Sequence, residues 1–181
     1  LIALRVLGTA DGEIKLSQHS STSALSIDSV QVAATTLMAH VQHNAKLNQL
    51  LIDISRSLLQ YVGLCSSWVS RSQAAMEHDF VKLVDQQQQH VGQLSELLMA
   101  RRWTIDFGGF PATFTDLHFL SLKYLLKLIV ENQNAVVAEL DEASHTCVDD
   151  PEAVELINQI LAAERQITER LQSLSASPVA A

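Results

Sequence analysis

The chain has 181 residues, 48% of them hydrophobic, enough for one domain with a substantial core and short for two. Its formal net charge of -8, with basic residues scattered apart from Arg101-Arg102, excludes a phosphate-reading surface, so no nucleic-acid partner is expected. Glycine (6) and proline (3) are scarce and strand-type alternation is nearly absent after Ser20, which leaves an all-α fold.

Residues 1–26 read as an N-terminal extension. Partial alternation of Ile2, Leu4, Val6, Ile14 and Leu16 around Asp11-Gly12 predicts a short hairpin, and the Ser-rich residues 17–26, with His19 among them, predict a linker. With Leu1 in first place, processing of the N-terminus stays open. The bundle is expected over residues 27–174 and a flexible tail over 175–181. Its first helix, capped by Asp28, carries Val32, Leu37, Val41, Leu47, Leu50, Ile54, Leu58, Tyr61 and Trp68 on one stripe, with a bend predicted near residues 43–46. A turn at 70–72 leads to a second helix with Met76, Phe80, Leu83, Gln87, His90 or Val91, Leu94 and Leu98 inward.

Residues 101–115 hold Gly108-Gly109 and Pro111, which rule out a continuous helix. A third helix is predicted over 116–142, capped by Thr115 or Asp116, with Leu117, Leu120, Tyr124, Leu128, Glu131, Ala135 and Ala138 on its stripe. It is apolar almost all round up to Val130, as a helix buried on several sides is. Asp149-Asp150-Pro151-Glu152 then announces a fourth helix that turns Val154, Ile157, Leu161, Glu164, Thr168 and Leu171 inward. The best apolar run, 119–130, is shorter than the roughly 20 residues of a membrane span and contains Lys123 and Lys127. No span is expected, and the chain reads as soluble and cytoplasmic.

Loop lengths set the topology. A helix of about 28 residues is roughly 42 Å long, and the loop of about 14 residues between the second and third helices reaches at most roughly 45–50 Å. It can just run the length of a bundle, whereas the turns near Ser70 and Thr146 join antiparallel neighbours. The expectation is two antiparallel helical hairpins joined by one long crossover. Midway along each helix a polar cluster interrupts the apolar stripe: residues 53–57, 85–90, 131–134 and 164–166. Four such clusters at one level make a buried polar layer, which costs free energy unless its groups pair with one another or with a metal.

On this pattern the chain resembles the ferritin-like superfamily over residues 45–172. Leu47-Asn48, Leu50-Leu51 and Gln60-Tyr61 are similar to the LNxLL and QY of bacterioferritins. The resemblance implies a ferritin-like four-helix bundle with a di-iron site built from a Glu, a Glu-x-x-His pair, a second Glu and a second Glu-x-x-His pair on successive helices. Carried over, these positions fall on Ile54, on Gln87 and His90, on Glu131, and on Glu164 and Ile167. Three of six ligands survive in kind. A one-residue shift would put Gln86 and Gln89 at the second-helix pair instead.

The losses imply that di-iron chemistry is gone. The expectation is a non-catalytic structural or protein-interaction module without a cofactor, a homodimer or a subunit of a larger assembly. Its vestigial layer would consist of Arg56, Gln87, His90, Glu131 and Glu164, with Arg56 pairing the carboxylates. The alternative is a metal-binding protein or oxidoreductase holding one Fe, Mn or Zn ion at His90, Glu131 and Glu164.

Other features point to structure. His40 and His43 stand three apart, a spacing that can chelate, but the sequence sets no acid beside them, so a surface pair is expected. Glu77-His78-Asp79 reads as a solvated first turn favourable to the helix dipole, and His118 as a tie for the crossover. Trp103, Phe107, Phe110 and Phe114 would anchor the crossover or form an oligomer contact. Cys65 and Cys147 belong to no CxxC pair and cannot build a disulfide framework. No sequence constellation for nucleophilic catalysis is present.

Overall fold

A computed structural model of the chain describes residues 27–65, 74–117 and 120–177. The predicted N-terminal hairpin and linker, the turn at 70–72, Trp68 and His118 lie outside the described residues. The described residues are predominantly helical, with α1 at Ile27–Ser55, α2 at Leu58–Leu64, α3 at Ala74–Ala100, α4 at Leu122–Thr146 and α5 at Pro151–Ala176. A 3-10 helix at Ala112–Leu117 lies in the connection between α3 and α4. Among the described residues no helix is long and apolar enough to cross a membrane.

Helix ends follow local chemistry. Ser57 accepts from the Gln60 amide and starts α2; Ser121 does the same for α4 from Tyr124, and Asp150 for α5 from Ala153, with Pro151 in the first turn. The long helix predicted at the start is therefore interrupted at Arg56-Ser57, while α1 runs as unbroken helix through residues 43–46, where a bend was expected. The third long helix starts at Leu122, six residues later than predicted, because Ser121 is its cap and the 3-10 turn takes residues 112–117. At its C-terminal end α3 closes with Arg102 in the left-handed region (φ 56). The Trp103 amide donates to the Leu98 carbonyl and that of Arg102 to Met99, the pair of bonds usually built on glycine.

Side-chain pairings fix the directions. Asn44 meets Arg101 and Gln60 meets Val84, so α1–α2 runs antiparallel to α3. Asp141 meets Arg165 and Lys123 meets the carbonyl of Ser175, so α4 and α5 are antiparallel. Arg101 meets Asp150 and Lys46 meets Glu139, which sets α3 against α5 and α1 against α4 in the same sense. Since α3 and α4 are thereby parallel, the segment between them must travel the length of the molecule. Trp103 and Ile105 pack on the apolar cluster of one end, and Phe110 and Phe114 on that of the other. Phe110 and Phe114 lie 5.2 and 5.3 Å from the Tyr61 ring, whereas Phe107 is 45% exposed. Gly108 turns this segment with φ 60 where a Cβ would come within 2.8 Å of Ile52.

The core is two apolar clusters. One holds Leu47, Leu50, Leu51 and Ile54 with Leu94, Leu98, Leu140, Ile157 and Leu161. The other holds Leu58, Leu59 and Tyr61 with Phe80, Leu125, Leu126, Ile129, Ile167 and Leu171. Between them lies a polar level.

Candidate functional site

Each of the four predicted clusters sends residues into that level. Ser57, Gln87, Gln133 and Glu164 are at most 2% exposed there, with Gln60 and His90 at 5% and 9%. Gln87 is its hub. Its carbonyl oxygen accepts from the Ser57 hydroxyl (2.8 Å) and the Gln60 amide (3.2 Å), and its NH2 donates to Gln133 Oε1 (3.1 Å) and Glu164 Oε2 (3.1 Å). An amide has two acceptor sites and two donors, and all four are used. The Gln133 amide donates to the same Glu164 oxygen, while the other, Oε1, lies 2.6 Å from His90 Nδ1. The carboxylate thus takes three bonds without exposure, and the layer is closed on itself.

The helix-two register is the one that buries Gln87 and His90 and leaves Gln86 and Gln89 exposed. Two members of the expected layer lie elsewhere. Glu131 is exposed, and Gln133 occupies the inward place. The error came from the stripe assigned to this helix: Tyr124, Glu131, Ala135 and Ala138 face solvent, and Leu122, Leu125, Ile129, Gln133, Val136 and Leu140 face the core. Up to Val130 the helix is apolar almost all round, broken only by Lys123 and Lys127, so periodicity there chose a face poorly. The stretch from Gln133 through Val136 and Leu140 to Ala143, at steps of three and four, held the signal. Arg56 does not pair with the carboxylate either. Its Nε donates to the carbonyls of Phe107 (2.8 Å) and Gly108 (3.1 Å), and its guanidinium sits 4.7 Å from the Phe110 ring centre, so it anchors the crossover.

The layer does not fit the two-metal group that the resemblance implies. That group is neutralised by about four carboxylates. Here the inward side chains are one carboxylate, one imidazole, three amides and a hydroxyl, and Ile54 and Ile167 are buried apolar groups at the remaining ligand positions. The trio proposed for one ion, His90, Glu131 and Glu164, is not brought together.

Beside Ser57 a cleft of about 470 Å³ opens between α1 and α4, lined by Gln49, Asp53, Arg56, Asn132 and Glu139 among others. Burial pushes the Asp53 carboxyl above its ordinary value; the hydrogen bond from Gln49 works against this, Glu139 adds to it and Lys46 relieves it.

A second polar cluster closes the far end of the molecule. Arg101 forks onto Asp150 (2.5 and 2.9 Å) and reaches Glu152 (2.7 Å) and Asn44 (3.1 Å). Burial alone would raise the Asp150 carboxyl, but the bonds from Arg101 and the Ala153 amide outweigh it and hold the group below its usual range. His43, expected at the surface without an acid, is 7% exposed, and its Nδ1 lies 3.7 Å from Asp150 Oδ2. That acid is more than 100 positions away in sequence, at the start of α5, and its proximity follows only once α1 and α5 are packed. Compared with protein-family models, with curated proteins and with solved structures, the chain matches none.

Proposed function

We propose that this chain is a ferritin-like four-helix bundle, two antiparallel hairpins joined by a long crossover, whose metal-binding level has become a hydrogen-bonded plug. It acts as a non-catalytic structural or protein-interaction module, as a homodimer or a subunit of a larger assembly. The observation that carries this reading is the saturation of Gln87: its amide spends all four bonds on Ser57, Gln60, Gln133 and Glu164. A metal entering the layer would have to break that set and replace it with only one carboxylate and one imidazole, and Glu131, on the surface, does not supply a third ligand.

Aerobic oxidation of Fe(II) by the purified chain tests it. Oxidation at the rate of the buffer, unchanged in Glu164→Gln, is expected. Turnover well above buffer that disappears in Glu164→Gln would overturn the reading. Size exclusion with light scattering then tests assembly: a defined homodimer or larger oligomer is expected, and a strict monomer would leave only a partner of another sequence.

A further inference from the structure

We propose that His40, His43 and Asp150 form a binding site for a single divalent transition-metal ion, with zinc(II) the best match to its ligands. One ligand atom from each of the three lies within 4.8 Å of the others. Two imidazoles and a carboxylate are the donors that such ions take, and a fourth position is left for water. A tetrahedral ion with bonds of about 2.0–2.1 Å sets its ligand atoms about 3.3 Å apart. The 3.7 Å between His43 Nδ1 and Asp150 Oδ2 is already near that figure. Closing the third side falls to His40, which is exposed and whose ring already stands 6.5 Å from that of His43.

Independent support comes from His43 itself. Its Nδ1 is buried and has no hydrogen-bond partner, an unmet acceptor or donor in a side chain only 9% exposed. Such a group is costly unless something fills its vacant partner position. The surroundings suit a cation despite Arg101. That guanidinium is shared between Asp150 and Glu152, so one positive charge faces two negative ones. Held by Arg101 and the Ala153 amide, Asp150 is kept ionised and fixed in orientation, which is what an outer-shell partner does for a ligating carboxylate. The site would tie α1 to α5, which lie diagonally across the bundle. It is distinct from the layer: none of its ligands belongs to the hydrogen-bonded set around Gln87.

The test is a titration of the chelator-treated full chain with Zn(II), and with Co(II) followed by its visible d–d absorption. The variants are His40→Ala and His43→Asn, with His78→Ala as an exposed-histidine control. One ion per chain is expected, with affinity unchanged in His78→Ala. In His40→Ala affinity should fall at least about tenfold, since even loss of an outer-shell partner brings that much. His40 is exposed, so its removal leaves the packed core untouched should His43→Asn fail to fold. Absence of stoichiometric binding, or binding of equal affinity in wild type and His40→Ala, would overturn the proposal.

Discussion

Restoring the acid at the centre of the layer, Gln87→Glu, measures how firmly the plug is built. The NH2 of Gln87 stands 3.1 Å from Glu164 Oε2 and 3.1 Å from Gln133 Oε1. An ionised carboxylate there would face the Glu164 carboxylate at that distance, a repulsion of about 5 kcal/mol at an effective dielectric of 20. Taking up a proton instead costs about 1.4 kcal/mol for each pH unit above the ordinary glutamate value near 4.3, or about 3.7 kcal/mol at pH 7. Proton uptake is the cheaper course, so the new side chain is buried as the neutral acid. It also forfeits one donor bond, worth about 1 kcal/mol. The variant should be destabilised by roughly 2 kcal/mol at pH 5 and roughly 5 kcal/mol at pH 7. The sign is that of a group whose folded pKa is raised, with stability lost as pH rises. Urea unfolding of both proteins at the two pH values, with chelator present, reads the difference. A destabilisation equal at pH 5 and pH 7, or a variant as stable as wild type at pH 7, would refute the account of the layer.

Asp53, raised by burial, destabilises the folded chain when it is ionised, so its cost appears as pH rises through its folded value. Asp53→Asn should therefore gain stability at pH 7 and gain little near pH 3, as urea midpoints at the two values would show. Arg101→Ala strips the guanidinium from Asp150, which is 4% exposed and keeps only the Ala153 amide among the donors described above, and should cost roughly 3 kcal/mol. Adding Asp150→Asn should return part of that loss, because asparagine keeps the helix cap and removes the stranded charge. In wild type the contribution of Asp150 is present above the ordinary aspartate range and is lost as pH falls through its depressed folded value; in Asp150→Asn the acid limb of the stability profile should flatten. Arg102→Gly, at φ 56, should raise the thermal midpoint, the relief of left-handed strain being worth about 1 kcal/mol.

Much of the architecture was legible because its signals are local. The Asp150-Pro151 start of α5, the glycine and proline of the crossover, and the inward series Ile157, Leu161, Glu164, Thr168 and Leu171 all act over one or two turns. Loop-length arithmetic pointed to a long crossover from a loop of about 14 residues, whereas α4 begins only at Leu122 and the connection from Ala100 is longer. The layer was legible as a set of interruptions, yet its membership was not, since an all-round apolar helix hides its own facing until its polar half is weighed. The resemblance puts its third-helix carboxylate at Glu131, whereas burial in this chain takes the Gln133 amide. The break at Arg56-Ser57 carries little local signal: serine both caps α2 and bonds Gln87, and the second role depends on a residue 30 positions away. The meeting of His43 with Asp150 had no local signal at all.

The polar level divides two oily compartments that would otherwise let the helices glide past one another. Shifting α5 by a single turn, about 5.4 Å, would carry the Glu164 carboxylate into leucine and isoleucine side chains and leave Gln87, Gln133 and His90 facing methyl groups. The hydrogen-bonded set therefore works as a key that fits one vertical alignment of the four helices. Side chains in either compartment can be exchanged for others of similar volume without losing that alignment, and a helix from a second copy of the chain could replace α5 only by bringing its acid to the same height.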